Sequence, residues 1–291
     1  MESIGGQAVI EGVMIRNKNK IATALMNEKK IIVKKEDFHS LTEKYKILSL
    51  PILRGVIGFF ETMKIGINTL NYSADIAMLK DEKSGCKKSN LGFYGMMLFA
   101  FALALFIFLF LPIFITTRLF NIERTTLYFN AAAGGIRIIF FLIYVYAISF
   151  MNDVKRLFMY HGAEHKVVNC YEHGEKITLK NAKKYTTIHK RCGTSFLLVV
   201  FITAIIGFSF IDLALFYFNG STSILTRTIS HLLFLPVILG VAYEILKLSS
   251  KKKNFITEAL VYPGALIQKI TTAEPDDYMI KVAIAAIREI V

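Results

Sequence analysis

Cysteine is scarce in this sequence, and the number and spacing of the few that occur bear on two kinds of site. The 291 residues include three cysteines, Cys86, Cys170 and Cys192, without a C-x-x-C pair. A disulfide framework needs cysteines in pairs, and a zinc finger needs closely spaced ones. The spacing therefore excludes a zinc finger, and we expect free thiols in preference to a disulfide framework.

Signals for export and for nucleotide binding are also missing. Residues 1–12, MESIGGQAVIEG, lack a basic stretch followed by an apolar one, which predicts that no signal peptide is removed. The glycines in this segment do not form a phosphate-binding loop or a dinucleotide fingerprint, so nucleotide binding is not expected. The sequence also contains no internal repeat and no low-complexity tract.

Long runs with few charges dominate the remainder of the chain. Apolar residues make up 54% of the sequence, and the mean hydropathy is +0.48, which together indicate a membrane protein. Four runs approach or exceed the roughly 20 residues that cross a bilayer. They are residues 91–117 without a charge, 130–151 with Arg137, 195–218 with Asp212, and 229–248 with Glu244 and Lys247. We predict a mainly α-helical multi-pass protein with about four transmembrane helices.

The distribution of lysine and arginine predicts the orientation. Fifteen lie before the first run, nine in residues 152–194 and seven from position 247 onward. The two remaining connections hold only Arg118, Arg124 and Arg227. The positive-inside rule then places both termini and residues 152–194 in the cytoplasm, with the spans in the cell membrane. This rule and attraction to anionic lipid explain most of the formal charge of +13, so we expect lipid contact and no nucleic-acid binding.

The regions outside the spans divide into four parts. Residues 1–48 read as a small β or α/β element, because IATALM, NEKK and IIVKK form a strand, turn and strand pattern. Residues 49–90 predict an amphipathic helix with Ser49 as its N-cap. That helix lies either on the membrane surface or against the cytoplasmic domain. Residues 152–194 form a segment rich in histidine and glutamate, and residues 249–291 predict C-terminal helices.

The strongest chemical signal lies in residues 159–175, MYHGAEHKVVNCYEHGE, which hold three histidines and three glutamates. His161 and His165 are four apart, so a helix places both imidazoles on one face, with Glu164 directly before the second. Two imidazoles and a carboxylate are parts of a metal-dependent site that still needs a third ligand. The alternative is a pair of polar residues that contact lipid headgroups from a membrane-proximal helix.

The pattern H-x-x-E-H is similar to the inverzincin motif. This resemblance implies that His161 and His165 bind a divalent transition metal, with zinc preferred, that Glu164 is the general base, and that a distant glutamate completes the site. It covers only five residues, and the membrane spans depart from those soluble proteases. The resemblance therefore does not imply peptidase activity.

Three residues are candidates for the third metal ligand. His189 is preferred, followed by Cys192, because both precede the third span and are good zinc ligands. Glu244 suits the distant position along the chain. However, Glu244 lies within a span, whereas the histidines should lie roughly 15 Å beyond the end of theirs.

A wider resemblance extends over nearly the whole chain. It rests on GGQAVIEGVMIR at Gly5, LRGV at Leu53, HGAEHK at His161, RCGTSF at Arg191, PVILGVAYE at Pro236 and TTAEPDD at Thr271. In these segments the sequence resembles the YqhQ-like family, a domain-of-unknown-function family of bacterial membrane proteins with chloroplast relatives. Members of that family are regarded as candidate metal-dependent enzymes. The resemblance implies a shared topology and a metal, and it names no substrate.

Two other groups of charged residues have competing interpretations. Glu274, Asp276 and Asp277 could bind a hard cation or a basic partner, but acidic residues are also common at a helix N-terminus, and we favour the second interpretation. Arg137 and Asp212 lie at matching depths in their spans and are predicted to form a structural ion pair.

These observations support three hypotheses for the function. The first is a membrane-embedded, cytoplasm-facing metal-dependent enzyme, in particular a hydrolase. The second is a non-enzymatic membrane factor that binds lipid, a nascent membrane protein or another membrane complex. A transporter ranks third, because four spans with one balanced charge pair offer little polar lining. The sequence does not indicate the oligomeric state.

Overall fold

The computed structural model describes residues 4–28, 30–78, 90–119, 127–189, 192–219, 223–251 and 255–291. Within these ranges the chain is mainly helical and contains one four-stranded sheet. The helices are α1 (Leu41–Lys44), α2 (Leu53–Met78), α3 (Asn90–Leu105), α4 (Leu111–Arg118), α5 (Leu127–Ile148), α6 (Asn152–Glu172), α7 (Leu179–Ala182), α8 (Gly193–Asn219), α9 (Ile224–Lys251), α10 (Phe255–Thr271) and α11 (Asp277–Arg288). Cys86 and Arg124 lie outside the described residues.

The N-terminal sheet is an antiparallel meander of β1 (Ile4–Val9), β2 (Gly12–Asn17), β3 (Lys20–Asn27) and β4 (Lys30–Asp37). Its tight turns use positive φ angles at Glu11 and Lys18. The predicted strand, turn and strand correspond to β3 and β4, so the small β element is confirmed. The sequence analysis missed β1 and β2, because the glycines in these two strands are more typical of a loop.

Both faces of the sheet are buried at its two central strands, which explains their continuous apolar runs. One face, which includes Val13, Ile15 and Ala22, packs in a core with α6 and α11. The opposite face, which includes Met14 and Leu25, packs against Ile65 of α2. Successive side chains of a strand point to opposite faces, so a single strand such as β2 contributes to both cores.

Among the described residues, four helices are long and apolar enough to cross a membrane, which confirms the predicted number. They cover Leu98–Arg118, Leu127–Ile148, Phe196–Phe218 and Ile224–Leu248. The fourth begins five residues earlier than the sequence pattern suggested, because the polar residues of its first turns are buried between helices and are not in a loop.

The helix predicted to begin at Ser49 begins at Leu53 instead. Residues Lys46–Ser49 form a separate 3-10 turn, and the Ser49 hydroxyl donates to the Lys46 carbonyl oxygen and does not cap α2. The helix α6 ends at Glu172, and Gly174 follows its last turn with a φ of 71°.

Asp212 does not form its ion pair with Arg137, as predicted, but with another arginine. The Asp212 carboxylate lies 3.0 Å from Nε of Arg227 and 3.0 Å from Nε2 of His231, and it accepts from the Asn130 amide at 2.7 Å. Arg227, which the sequence placed in a short connection, is buried in α9.

Arg137 donates from Nε to the Phe108 carbonyl oxygen at 3.1 Å. Phe108 lies in the π-helical segment Phe106–Phe110, shortly before Pro112, which has no N–H to donate. Arg137 therefore contacts the backbone of the first span where its α-helical hydrogen bonding is interrupted.

We predict that Asp212→Ala strongly destabilises the protein, since it leaves Arg227 buried without its carboxylate. Breaking a buried ion pair costs about 3–5 kcal/mol. The melting temperature in detergent should fall markedly, whereas Ser209→Ala, a polar change on the same helix, should change it little. Equal melting temperatures for Asp212→Ala and the wild type would contradict this assignment.

Candidate metal centre

The two histidines of H-x-x-E-H lie on one face of α6, as their spacing predicts. The centroids of the His161 and His165 rings are 4.3 Å apart. Nδ1 of His161 lies 2.8 Å from the Thr271 carbonyl oxygen, and Nδ1 of His165 lies 2.5 Å from the Thr187 carbonyl oxygen. A carbonyl oxygen can only accept, so each Nδ1 carries a proton, and in the neutral ring Nε2 then keeps its lone pair.

Cys192 joins the two histidines from the residue that precedes α8. Its Sγ lies 3.3 Å from Nε2 of His161. One potential ligand atom from each of His161, His165 and Cys192 lies within 4.8 Å of the other two. The structure therefore groups Cys192 with the two histidines, although the sequence analysis had preferred His189.

This donor set fits a transition metal better than calcium or magnesium. A thiolate and two imidazoles suit zinc, whereas hard cations prefer oxygen ligands. In a tetrahedral zinc site the ligand atoms are about 3.4–3.6 Å apart, given Zn–N and Zn–S lengths of about 2.0–2.3 Å. The separation of 3.3 Å between Sγ and His161 is close to this range, and an overall spread of 4.8 Å requires a contraction of about 1 Å.

Burial favours the neutral form of a histidine that could act as a ligand. His165 is 1% exposed, and its burial lowers the pKa of the imidazole below the usual value. Contact with Cys192 opposes this shift without reversing it. Since only the neutral ring can coordinate through Nε2, the lowered pKa supports ligation.

Glu164 lies against the same cluster as a buried carboxylate. Its Oε2 is 3.5 Å from Nε2 of His165, and the residue is 4% exposed. Burial raises the pKa of Glu164 above the usual value, while nearby His161 and His189 act in the opposite direction. A carboxyl group with a raised pKa holds a proton more readily than one in water does.

The site is closed on one side by the start of β1, and glycine is needed there. A Cβ atom on Gly6 would lie 2.7 Å from Oε1 of Glu164 and 2.8 Å from the Met14 carbonyl oxygen. Gly5, the preceding residue, has open space where its Cβ would be. Sequence reasoning did not connect either glycine with the histidines, which lie about 155 positions later.

A small cavity of about 60 Å³ adjoins the cluster. It is lined by Ile4, Gly5, Gly6, Glu164, His165, His189, Cys192 and Gly193. This volume is enough for one or a few water molecules. Glu164 and Cys192 thus face a common space in which a water molecule or a small part of a substrate could lie.

His189 borders this cavity but makes a different set of contacts. Its Nε2 lies 3.3 Å from Oε2 of Glu172, and its ring centroid is 5.5 Å from that of His165. The side-chain amide of Gln268 accepts from the backbone N–H of His189 at 2.8 Å and donates to the backbone carbonyl oxygen of His189 at 2.9 Å. Gln268, on α10, was not singled out from the sequence, because only the fold brings it to position 189.

The remaining candidate residues lie elsewhere. Glu244 makes a two-point ion pair with Arg54 of α2, with a separation of 2.6 Å between Oε1 and Nε. This pair removes Glu244 from consideration as the third ligand. The Glu244 carboxylate instead neutralises an arginine at the start of α2.

The acidic residues after α10 form ion pairs with lysines and cap α11. Glu274 pairs with the buried Lys166 at 2.7 Å, and Asp277 pairs with Lys183 at 2.5 Å. The Asp276 carboxylate accepts from the Met279 N–H at 2.8 Å and so caps α11. These contacts favour the helix N-terminus over a cation site.

The same segment comes close to α6 at a glycine. The Ala273 N–H donates to the Phe158 carbonyl oxygen at 2.9 Å. A Cβ atom on Gly162 would lie 2.2 Å from the Ala273 carbonyl oxygen. Gly162 therefore lets the end of α10 approach α6 closely enough for the Thr271 carbonyl to reach His161.

Comparison with known proteins shows the family. The family described as "Protein of unknown function (DUF1385)" matches residues 50–291. The chain is 32% identical over 305 aligned positions to the "Uncharacterized protein YqhQ" of Bacillus subtilis (strain 168), covering 98% of this chain and 91% of that protein. No solved structure matches. The chain belongs to the DUF1385 family.

We predict that Gly6→Ala disturbs the candidate centre and that Gly5→Ala does not. The new methyl group at position 6 would displace Glu164 or the strand, and such overpacking costs about 1–3 kcal/mol. Gly5→Ala, on the opposite face of β1, is the matched control. Thermal unfolding in detergent compares the two variants, and equal stability would show that Glu164 does not lie against Gly6.

Proposed function

We propose that this DUF1385 protein is a metal-dependent hydrolase whose site faces the cytoplasm at the membrane surface. His161, His165 and Cys192 are the proposed ligands of a divalent transition metal, preferably zinc, and Glu164 is the proposed general base. The observation that carries the proposal is the convergence of three soft or borderline donors with a buried carboxylate beside a small cavity.

The number of ligands supports a catalytic site over a purely structural one. Structural zinc sites have four protein ligands, whereas catalytic sites have three and leave a position for water or substrate. Three candidate donors group together among the described residues, and the cavity adjoins them. A bound zinc ion would supply Lewis acidity and a water molecule of lowered pKa in that position.

Glu164 is suitably placed to accept a proton in that cavity. It lines the cavity next to His165, and burial keeps its carboxylate from being fully solvated. The Thr187 and Thr271 carbonyls hold the two imidazoles by Nδ1, which fixes the ring orientation. His189 lines the same cavity and lies beside Glu172. This histidine could therefore exchange a proton with a molecule bound in the cavity.

The proposed orientation follows from the charges that flank the spans. Lysine and arginine concentrate before the first span, in residues 152–194 and after the fourth span. These are the same parts of the chain that hold the sheet, α6 and α11. The positive-inside rule supports a cytoplasmic location for all of them.

One observation favours a second candidate, a non-enzymatic membrane factor. The three donors connect α6 with the start of α8, so a metal there could also act as a structural clip between the two helices. In that case the basic exposed surface would bind lipid or another membrane protein. The effect of Glu164→Gln distinguishes the candidates, since only the enzyme needs a general base.

We predict that protein purified in detergent contains about one transition metal per chain, and that His161→Ala combined with His165→Ala removes it. Metal content is measured by elemental analysis. Cobalt-loaded wild-type protein should show a thiolate-to-cobalt absorption band that Cys192→Ser abolishes.

His173→Ala provides the matched control for metal content, because His173 is an exposed histidine just beyond the same helix. It should keep the full metal content. Wild-type protein that stays metal-free after incubation with zinc, cobalt or manganese would overturn the enzyme proposal.

We predict that Glu164→Gln keeps the metal and loses the function. The imidazoles and the thiol are unchanged, while loss of a general base lowers activity by roughly 100-fold to 10,000-fold. Function is measured as rescue of the growth or stress defect of a strain that lacks the gene. Glu175→Gln, in the loop after α6, should rescue fully. Full rescue by Glu164→Gln would assign the metal a structural role.

A further inference from the structure

The segment Ile47–Phe60 exposes apolar side chains next to the fourth span. It comprises most of the 3-10 turn, the link to α2 and the first turns of α2. Ile47 is 68% exposed, Leu50 is 51%, Leu53 is 42% and Phe60 is 47%. Large apolar side chains with this exposure need a partner if they form a continuous surface.

The segment contacts α9 well inside the span. A Cβ atom on Gly55 would lie 2.9 Å from the Gly240 carbonyl oxygen, and one on Gly240 would lie 2.6 Å from the Ile52 carbonyl oxygen. Gly240 is eight residues before Leu248, where the span ends. At 1.5 Å per residue, the contact lies about 12 Å from that end of the helix, which at 25 residues exceeds the roughly 30 Å of hydrocarbon. A centred helix then places the contact about 8 Å inside the hydrocarbon of one leaflet.

The charged side chain of this segment, that of Arg54, is neutralised by an ion pair. Arg54 forms its two-point ion pair with Glu244, which is itself within the span. The Ile52 backbone amide also lies near this carboxylate. Charged side chains at membrane depth are normally paired, so this arrangement also explains a glutamate in the fourth span.

The backbone of the segment is also largely satisfied. The N–H groups of Leu50, Arg54 and Gly55 donate to carbonyl oxygens at 3.4 Å, 3.0 Å and 3.0 Å within the same segment. Pro51 has no N–H, and Ile52 adopts a φ of 68°, an unfavourable value for a β-branched residue that lets the turn close on itself. Hydrocarbon admits irregular backbone only when its polar groups are paired in this way.

We infer that Ile47–Phe60 inserts into the cytoplasmic leaflet beside the fourth span, with lipid hydrocarbon chains as the partner of its exposed apolar side chains. The helix α2 is then neither flat on the membrane surface nor attached only to the cytoplasmic domain. It begins inside the leaflet and ends on the N-terminal sheet, where Thr69 and Ser73 are buried. This inference does not depend on the metal centre.

The absence of tryptophan from the sequence provides a direct test. Ile47→Trp, Leu50→Trp and Phe60→Trp each create a single-tryptophan protein, which is reconstituted in vesicles of phosphatidylcholine brominated in the middle of its acyl chains. Quenching of the tryptophan fluorescence in these variants should be within roughly a factor of two of that in Phe210→Trp, since the indole ring would lie in hydrocarbon in every case. Phe210 is 69% exposed on α8 and is the positive control.

Ile31→Trp is the negative control, because Ile31 is 37% exposed on β4, at the sheet. Quenching of the three segment variants as weak as that of Ile31→Trp would overturn the inference. A second copy of the chain as the partner would give weak quenching that increases when the protein is diluted in lipid, and this result would also overturn it. Three positions are used so that misfolding of one variant, detected by gel filtration, leaves the other two decisive.

Discussion

Two backbone carbonyl groups, those of Thr187 and Thr271, determine what the candidate centre can do. Each binds Nδ1 of a histidine and thereby directs Nε2 toward Cys192 and Glu164. Neither threonine is near the histidines in sequence. The carbonyls are delivered by the loop after α7 and by the end of α10, so the chemistry of a short motif depends on how distant helices pack.

Glycines make this packing possible at three places. Gly162 admits the chain after α10, Gly6 leaves room for Glu164, and Gly55 with Gly240 brings α2 against the fourth span. In each case a methyl group would meet backbone or buried side-chain atoms within 3 Å. Close backbone approach of this kind joins the sheet, α6 and the spans into one arrangement around the candidate site.

The parts of the fold that could be predicted are those encoded in local periodicity. Runs of apolar residues identified four spans, and a spacing of four placed His161 and His165 on one helical face. The contacts that could not be predicted depend on the rotation and depth of separate helices. Asp212 pairs with Arg227 because α9 begins earlier than its apolar run, and this cannot be read from the run itself.

The choice between Cys192 and His189 shows the same limit within three residues of sequence. Both are zinc ligands that precede the third span, and residue type does not separate them. Gln268 decides the matter, since it binds both backbone groups of His189 and fixes that residue toward Glu172. The choice of candidate ligand thus depends on an uncharged amide from another helix, a residue type that carries no metal-binding signal of its own.

The hydrogen bond from His161 to the Thr271 carbonyl also has a consequence for biosynthesis. During translation the sheet emerges first and α6 follows the second span, but Thr271 leaves the ribosome only after all four spans have been made. Until then, Nδ1 of His161 lacks its acceptor, and its ring is not oriented toward Cys192. The candidate centre therefore cannot adopt this arrangement until the chain has been made as far as Thr271.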